Sequence, residues 1–198
     1  MKIISIGDLV TDFYYKDGKL VGVNGGMTSH NIIANISKMK FETAVYGVCG
    51  TDAIGKIAID SLKAIGVNVD NIKIIDGLET RRFHVSYLKK NGKLEFLSKK
   101  RCPICNEKHW YNESNIDCDN ILKIIDEDDI LVFDNLNNKN QIIIDNSKNK
   151  KMLDLGQYFE LDNYSDDEII NKIKGKFALI NLNERVEKYL IDRFSLNS

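Results

Sequence analysis

The stretch KIISIGD, residues 2–8, is a short apolar run that ends in Gly-Asp. This pattern is typical of a buried parallel strand whose carboxyl end opens into a loop. Further along, apolar residues from Ile32 to Met39 follow helical spacing, and TAVYGVCG, residues 43–50, predicts a second buried strand. A strand, a helix and another strand in this order predict an α/β fold with a parallel sheet.

The alternation of strands and helices continues along the chain. A second helix is predicted after Gly50, with Thr51 or Asp52 as its N-cap, and residues 66–75 return to a strand. Beyond residue 120 the pattern predicts strands within 128–135, 150–156 and 177–184, and helices at 165–176, where Ser165 and Glu168 have capping-box spacing, and at 185–194.

Residues 80–100 interrupt this alternation. The stretch is rich in β-branched and aromatic residues on both sides of Asn91-Gly92, which is the strongest short-range signal for a hairpin. We interpret it as a small β flap beside the main sheet. His84 alternates with its neighbours and is predicted to be a half-exposed strand residue.

Composition limits the classes of partner. The chain has 198 residues, 43% of them hydrophobic, which is enough to build the core of one domain. A net charge of -1 provides no field that would recruit nucleic acid or an anionic membrane. Asp8 and Asp12 interrupt the first apolar run before a secretory core or a spanning helix could form, so a cytoplasmic protein is expected.

Unusual polar residues follow the predicted strands. In an open α/β sheet, ligands bind beyond the carboxyl ends of the strands, so these residues are expected to meet at one edge. Carboxylates and amides there suit a hydroxyl-rich small molecule, because each makes directed hydrogen bonds. The residues are Asp8, Asp12, the pair Gly25-Gly26, Asp52, Asn181 and Glu184.

Several motifs occur in an order that resembles the N-terminal part of the ribokinase-like (PfkB) carbohydrate kinase family. They are IGDLVTD at 6–12, Gly25-Gly26 followed by Asn31, VYGVCGTDAIG at 45–55, and LKAIGVNVDNI at 62–72; INLNE at 180–184 resembles the family's Asn-x-x-Glu motif. The resemblance implies an open, mostly parallel sheet flanked by helices, with a β lid that closes over the sugar. It also implies ATP-dependent phosphorylation of a sugar or nucleoside hydroxyl, with magnesium.

The resemblance also implies roles for particular residues. Asp12 would bind substrate hydroxyls, Gly25, Gly26 and Asn31 would line the sugar pocket, and Asn181 and Glu184 would help to organise magnesium and the phosphates of ATP. Simpler interpretations remain open: the glycine pair could form a tight turn, and Asn181 and Glu184 could cap a helix. One departure is that the glycine pair lies one residue further from Asn31 than in the family, with Ser29 between them.

A larger departure concerns catalysis. The family's general base lies in a Gly-Ala-Gly-Asp motif that also forms an anion hole, and the 198 residues contain no such motif. We therefore assign no catalytic residue, expect a single ribokinase-like domain that is incomplete on its C-terminal side, and expect little kinase activity from this chain alone. The alternative is a non-catalytic protein that binds a sugar or a partner. A homodimer through the lid or a complementing C-terminal chain would be the expected assembly.

A second set of residues lies in a cysteine-rich loop at about 101–118. Cys102 and Cys105 have zinc-knuckle spacing, and His109 and Cys118 could complete a tetrahedral structural zinc site. The alternative interpretation is a loop of reduced cysteines.

Overall fold

A computed structural model of the protein describes residues 1–90, 93–99, 101–102, 106–107, 114–156 and 158–195. The strands are β1 (Ile3–Asp8), β2 (Val10–Lys16), β3 (Lys19–Gly25), β4 (Thr43–Gly50), β5 (Ile72–Ile75), β6 (Arg81–Lys90), β7 (Lys93–Lys99), β8 (Ile130–Phe133), β9 (Lys150–Leu155) and β10 (Leu179–Leu182). The helices are α1 (Thr28–Lys38), α2 (Ala53–Lys63), α3 (Cys118–Ile124), α4 (Asn138–Asn146), α5 (Asp166–Ile173) and α6 (Glu184–Phe194), with a 3₁₀ helix at Tyr158–Asn163.

The main sheet contains six strands in the order β10-β9-β8-β1-β4-β5. Every pairing in it is parallel, which confirms the predicted α/β class. All eight residues of β4 are buried, as expected for a strand that is covered on both faces. At the other end of the sheet, β10 is an edge strand on which Leu179 is 55% exposed and Ile180 is 38% exposed.

Helices cover both faces of this sheet. On one face, α1 and α2 bury Ile33, Ala58 and Leu62 against apolar residues of the sheet. The larger core on the other face includes residues from the four helices α3, α4, α5 and α6; these residues are Ile121, Ile143, Ile169 and Val186. The sequence analysis did not anticipate α3 or α4.

Helix caps follow local sequence signals at most ends. The Asp52 side chain accepts a hydrogen bond from the Gly55 amide at 2.8 Å, which confirms it as the N-cap of α2. Ser165 and Glu168 form the predicted capping box. The capping interpretation of Asn181 is wrong, because Asn181 lies in β10 and Asn183 caps α6.

The lid is larger than a hairpin. The predicted hairpin is present, since β6 pairs antiparallel with β7 as far as Lys90 and Lys93, although Asn91 and Gly92 lie outside the described residues. However, β2 and β3 also join it, so the lid is a four-stranded sheet in the order β3-β2-β6-β7. The β2–β6 pairing is parallel and joins segments that are distant in sequence.

The prediction for His84 is wrong, because this residue is only 2% exposed. Its ring lies 5.3 Å from the ring of Phe13 and 5.8 Å from the ring of Tyr15, measured between centroids. Its Nδ1 is 3.3 Å from the Tyr15 hydroxyl. Aromatic neighbours from β2 therefore bury the imidazole on one face of the lid sheet.

Among the described helices, none is long and apolar enough to cross a membrane.

Candidate functional site

A cavity of about 530 Å³ lies between the lid sheet and the carboxyl ends of the last two strands of the main sheet. Its polar side includes Asp154 of β9 and Asn181 of β10, which are paired residues of these strands. The Asn181 amide donates a hydrogen bond to the Asp154 carboxylate at 3.3 Å. The lining residues are Val10, Asp12, Tyr14, Met27, Thr28, Asn31, Phe83, Val85, Tyr87, Asp154, Gly156, Asn181 and Asn183.

The wall that the lid contributes follows the two-residue period of its strands. Every second residue of a strand points to the same face of the sheet. From β2 these residues are Val10, Asp12 and Tyr14, and from β6 they are Phe83, Val85 and Tyr87. The rings of Tyr14 and Tyr87 lie nearly parallel, at 16° and with their centroids 6.3 Å apart. The lid thus contributes aromatic side chains to the cavity beside one carboxylate.

That carboxylate, Asp12, is only 8% exposed. The Tyr14 hydroxyl donates a hydrogen bond to it at 3.2 Å. Burial raises the pKa of Asp12 to about 6, and the hydrogen bond from Tyr14 opposes this rise. Burial and the nearby Asp12 charge raise the pKa of Tyr14 to about 12, so the phenol remains a donor. At neutral pH the pair therefore presents mainly an ionised acceptor held in place by a neutral hydroxyl.

The glycine pair has a structural explanation that differs from the expected one. A Cβ added at Gly26 would overlap the Asp12 carboxyl group, so the absence of a side chain lets this group lie against the main chain. Gly25 packs on α2, where an added Cβ would lie 3.2 Å from the Ala58 carbonyl oxygen. Both glycines line a second cavity of about 250 Å³ instead of the larger one, and only Asn31 of the predicted set borders both.

Met27 is a lining residue that the sequence analysis missed. It has φ 82° and ψ 135°, in a region of backbone space that favours glycine. The signal was present, because the glycine pair lies one residue further from Asn31 than in the resembled family. With this spacing, Met27 stands directly before α1 and adopts the positive φ.

The start of α1 is held by an acid from another strand. The helix begins at Thr28, three residues before Asn31, and has no side-chain N-cap. Instead, the amide and the hydroxyl of Ser29 donate hydrogen bonds to the Asp134 carboxylate at 3.1 and 3.0 Å. A carboxyl oxygen that accepts hydrogen bonds at a helix N-terminus satisfies amides that lack a partner within the helix. Asp134, which follows β8, thereby fixes the helix turn that presents Asn31.

The lid is joined to the main sheet by a buried ion pair. Asp8 ends β1, and its carboxylate lies 2.9 Å from the guanidinium of Arg81, the first residue of β6. Ser114 donates a further hydrogen bond to Asp8 at 3.0 Å. Asp8 therefore anchors the lid and does not line the larger cavity.

Of the two residues predicted to organise magnesium and phosphate, only one lines the larger cavity. Asn181 lines the larger cavity, whereas Glu184 is the exposed first residue of α6 and does not line it. Asp154, which was not predicted, lines the cavity beside Asn181, and burial raises the pKa of its carboxyl. Its position at the end of the apolar run in residues 150–156 was the signal that could have found it.

The predicted zinc site is described only in part. Cys105 and His109 lie outside the described residues, so zinc binding stays a prediction. Cys118 begins α3, and its thiol donates to the Lys139 carbonyl at 3.4 Å. Burial raises the pKa of the Cys118 thiol. Within the ranges that the structure describes, no group of three or more His, Cys, Asp or Glu side chains could hold a metal.

The fold and the cavity together define a class: an open α/β protein with a cavity under a β lid. By sequence, no family model and no curated protein matches the chain significantly. Solved structures do match. One is an uncharacterized sugar kinase from Pyrococcus horikoshii, at a TM-score of 0.71 and 18% identity, over 98% of this chain and 66% of that chain.

Two further solved structures, both of sugar kinases, have a similar fold. A PfkB family carbohydrate kinase from Listeria grayi matches at a TM-score of 0.68 and 14% identity, over 100% of this chain and 64% of that one. A 2-dehydro-3-deoxygluconokinase from Thermotoga maritima matches at 0.70 and 13%, over 100% of this chain and 63% of that one. The chain therefore has the fold of PfkB sugar kinases, and it spans about two thirds of the length of these structures.

Proposed function

We propose that this chain is the substrate-binding part of an ATP-dependent kinase that phosphorylates a hydroxyl of a sugar or a nucleoside. The observation that carries the proposal is the convergence of Asp12, Asn31 and Asn181 on one cavity under the lid. These residues come from β2, α1 and β10, and the resembled family assigns all three to substrate or phosphate binding. The fold shared with sugar kinases supports the same function.

The chemistry of the cavity suits a polyhydroxylated ligand. A largely ionised Asp12 can accept hydrogen bonds from adjacent hydroxyls, while the Asn31 amide can both donate and accept. Phosphoryl transfer depends mostly on positioning and on charge stabilisation, so a rigid acceptor site is a main requirement. The Tyr14 hydrogen bond and the contact with Gly26 hold Asp12 in one place.

We further propose that Asn181 and Glu184 help to hold Mg²⁺ and the phosphates of ATP. Oxygen donors are the ligands that Mg²⁺ prefers, and the Asp154 carboxylate beside Asn181 adds one. When bound, Mg²⁺ would neutralise charge on the phosphates. The sugar kinase from Pyrococcus horikoshii has also been crystallised in complex with ATP, which supports ATP as the phosphoryl donor.

A second candidate function is non-catalytic binding of a sugar or a partner protein. It is favoured by the lack of a Gly-Ala-Gly-Asp motif in these 198 residues, which leaves the general base unassigned. A complementing C-terminal chain would reconcile both functions, and the exposed Leu179 and Ile180 on the edge strand β10 offer it an apolar surface. A native mass spectrum of the protein from its own cells would detect such a chain.

The test is isothermal titration calorimetry of the chain with D-fructose and with adenosine, at pH 7.5, for wild type and Asp12→Asn. We expect binding of at least one probe and a loss of at least ten-fold in affinity for the variant, because a charged acceptor is lost. Asp70→Asn, which changes an exposed aspartate, serves as the control and should bind like wild type. Equal affinity of Asp12→Asn and wild type would refute the assignment of Asp12.

A coupled assay for ADP separates the two functions. Turnover of ATP that depends on a bound probe would establish a kinase. Binding of the probe without turnover, in a preparation shown by mass to hold no second chain, would favour the non-catalytic protein.

A further inference from the structure

The second cavity, of about 250 Å³, is lined by residues of α1, α2 and the end of β3. The main chain at Gly26 separates it from the larger cavity, because Gly26 lines the second cavity and the Asp12 carboxyl that lies against it lines the larger one. Val10 and Asn31 border both cavities. In the lining that the structure describes, no residue of the lid strand β6 reaches the second cavity. It is therefore a separate space behind the glycine pair.

The inner part of the second cavity is apolar. Its buried lining side chains include Leu9, Ala58 and Leu62. The partly buried Ala34 of α1 and Ile65, which follows α2, extend this apolar surface. Hydrocarbon groups gain free energy when they displace water from such a surface. A ligand with a short hydrocarbon chain therefore suits this part of the cavity.

Two polar residues of the lining supply no charge. The Ser61 hydroxyl accepts a hydrogen bond from the Gly25 amide at 3.0 Å and donates one to the Ile57 carbonyl at 2.7 Å. Nδ1 of His30 lies 2.7 Å from the Ser5 hydroxyl oxygen. Burial lowers the pKa of His30 to about 4, so its imidazole is neutral at pH 7.5.

The exposed rim of the second cavity carries one positive charge. Three exposed polar side chains border it, those of Asn24, Asn31 and Lys38. The lining that the structure describes contains Lys38 but no arginine, aspartate or glutamate. Lys38 also forms no ion pair with any other described residue. An ammonium group beside two amides can bind a carboxylate through charge-assisted hydrogen bonds.

We propose that the second cavity is a binding site for a short aliphatic carboxylate, whose chain packs on Leu9, Ala58 and Leu62 and whose charge lies at Lys38. The size of the cavity agrees with this ligand. A cavity of about 150 Å³ can hold benzene, with six non-hydrogen atoms, so about 250 Å³ has room for about ten, and hexanoate has eight. Pockets that combine apolar walls with a few polar groups at one end fix the orientation of such ligands. This site goes beyond the proposed function and does not depend on it.

The test is a titration of the ¹⁵N-labelled chain with hexanoate at pH 7.5, followed by two-dimensional NMR. The backbone amides of Gly25, Ala34 and Ser61 should shift and saturate, whereas those of Phe83 and Asp154, at the larger cavity, should stay unchanged. Hexanamide lacks the charge and acetate lacks the chain. Hexanoate is expected to bind at least five-fold more tightly than either of them.

Two variants with matched controls test the two parts of the site. Lys38→Met keeps the aliphatic stem and should reduce the preference for hexanoate over hexanamide to less than two-fold. Lys188→Met, at an exposed position of α6 outside the lining, should leave the preference unchanged. Ala34→Leu would fill part of the cavity and should weaken hexanoate binding at least ten-fold. Ala53→Leu, at the exposed start of α2, should stay within two-fold of wild type.

Several results would overturn the proposal. They are the absence of saturable binding, shifts confined to the larger cavity, equal affinity for hexanoate and hexanamide, or a preference that survives Lys38→Met. Since Lys38 is exposed, its variant gives an answer even if Ala34→Leu does not fold. No sugar, nucleoside or ATP enters these titrations, so their failure leaves the proposed function standing and their success does not support it.

Discussion

Replacing Asp12 by asparagine should make the protein more stable at neutral pH while it weakens ligand binding. The carboxylate is buried against Gly26 and the lid, and its charged form is poorly solvated there. Asparagine has nearly the same shape, and its carbonyl can still accept the hydrogen bond that Tyr14 donates to the aspartate. The substitution therefore removes mainly the buried charge.

The size of the effect follows from the pKa of Asp12, which burial raises from 3.8 to about 6. Each pKa unit corresponds to about 1.4 kcal/mol, so ionising this group in the folded protein costs about 3 kcal/mol. We expect Asp12→Asn to raise the free energy of unfolding at pH 7.5 by up to this amount. For a chain of this length, it corresponds to an increase in Tm of about 6–12 °C.

The pH dependence provides a stricter criterion. Because the folded pKa of Asp12 lies above the unfolded one, its contribution favours the folded state below about pH 3.8 and is lost as pH rises through about 6. The advantage of the asparagine variant should therefore appear between pH 4 and pH 6 and remain constant above pH 7. Other buried acids, such as Asp134 and Asp154, titrate in both proteins and largely cancel in the difference.

The assay is urea unfolding followed by circular dichroism, at intervals of half a pH unit from pH 4 to pH 8, for wild type, Asp12→Asn and the exposed control Asp70→Asn. The control should show no comparable change in this pH range. A difference between wild type and Asp12→Asn that is independent of pH, or a less stable variant at pH 7.5, would contradict this expectation, because it would mean that the Asp12 carboxylate is well solvated.

Two further predictions concern the turn before α1. In Gly26→Ala the new methyl group would occupy the space of the Asp12 carboxyl. Calorimetry should therefore show at least a ten-fold loss of affinity for whichever probe the wild type binds, D-fructose or adenosine. The control is Gly22→Ala, whose Cβ would meet only Tyr14 at 3.8 Å, and its affinity should stay within two-fold of wild type. Met27→Gly should raise the free energy of unfolding, measured in urea, by about 1 kcal/mol. This value is the balance between about 1–3 kcal/mol of relieved backbone strain and about 0.5–1 kcal/mol of added chain entropy in the unfolded state. Met27→Ala keeps the strain and should be less stable than Met27→Gly.

Short-range signals in the sequence were sufficient to predict several elements of this fold. The apolar runs at 2–8 and 43–50 predicted buried parallel strands, because strands covered on both faces exclude polar residues. Asp52 was predicted as a helix cap since capping involves atoms only a few residues apart. The order of the motifs also identified the kind of fold, because this order is a property of the sequence itself and needs no long-range contact to be recognised.

Long-range packing, in contrast, brings these elements together at the cavity. The four-stranded lid depends on β2 pairing with β6, and no local pattern specifies a parallel pairing between distant segments. The role of Gly26 depends on where the Asp12 carboxyl lies, and the role of Asp154 depends on its neighbour Asn181. The sequence predicted Asp12, Asn31 and Asn181 as site residues, but not how they are arranged in space. Only packing of the lid over the carboxyl edge of the sheet brings them onto one cavity, because that arrangement is set by contacts between residues far apart in the chain.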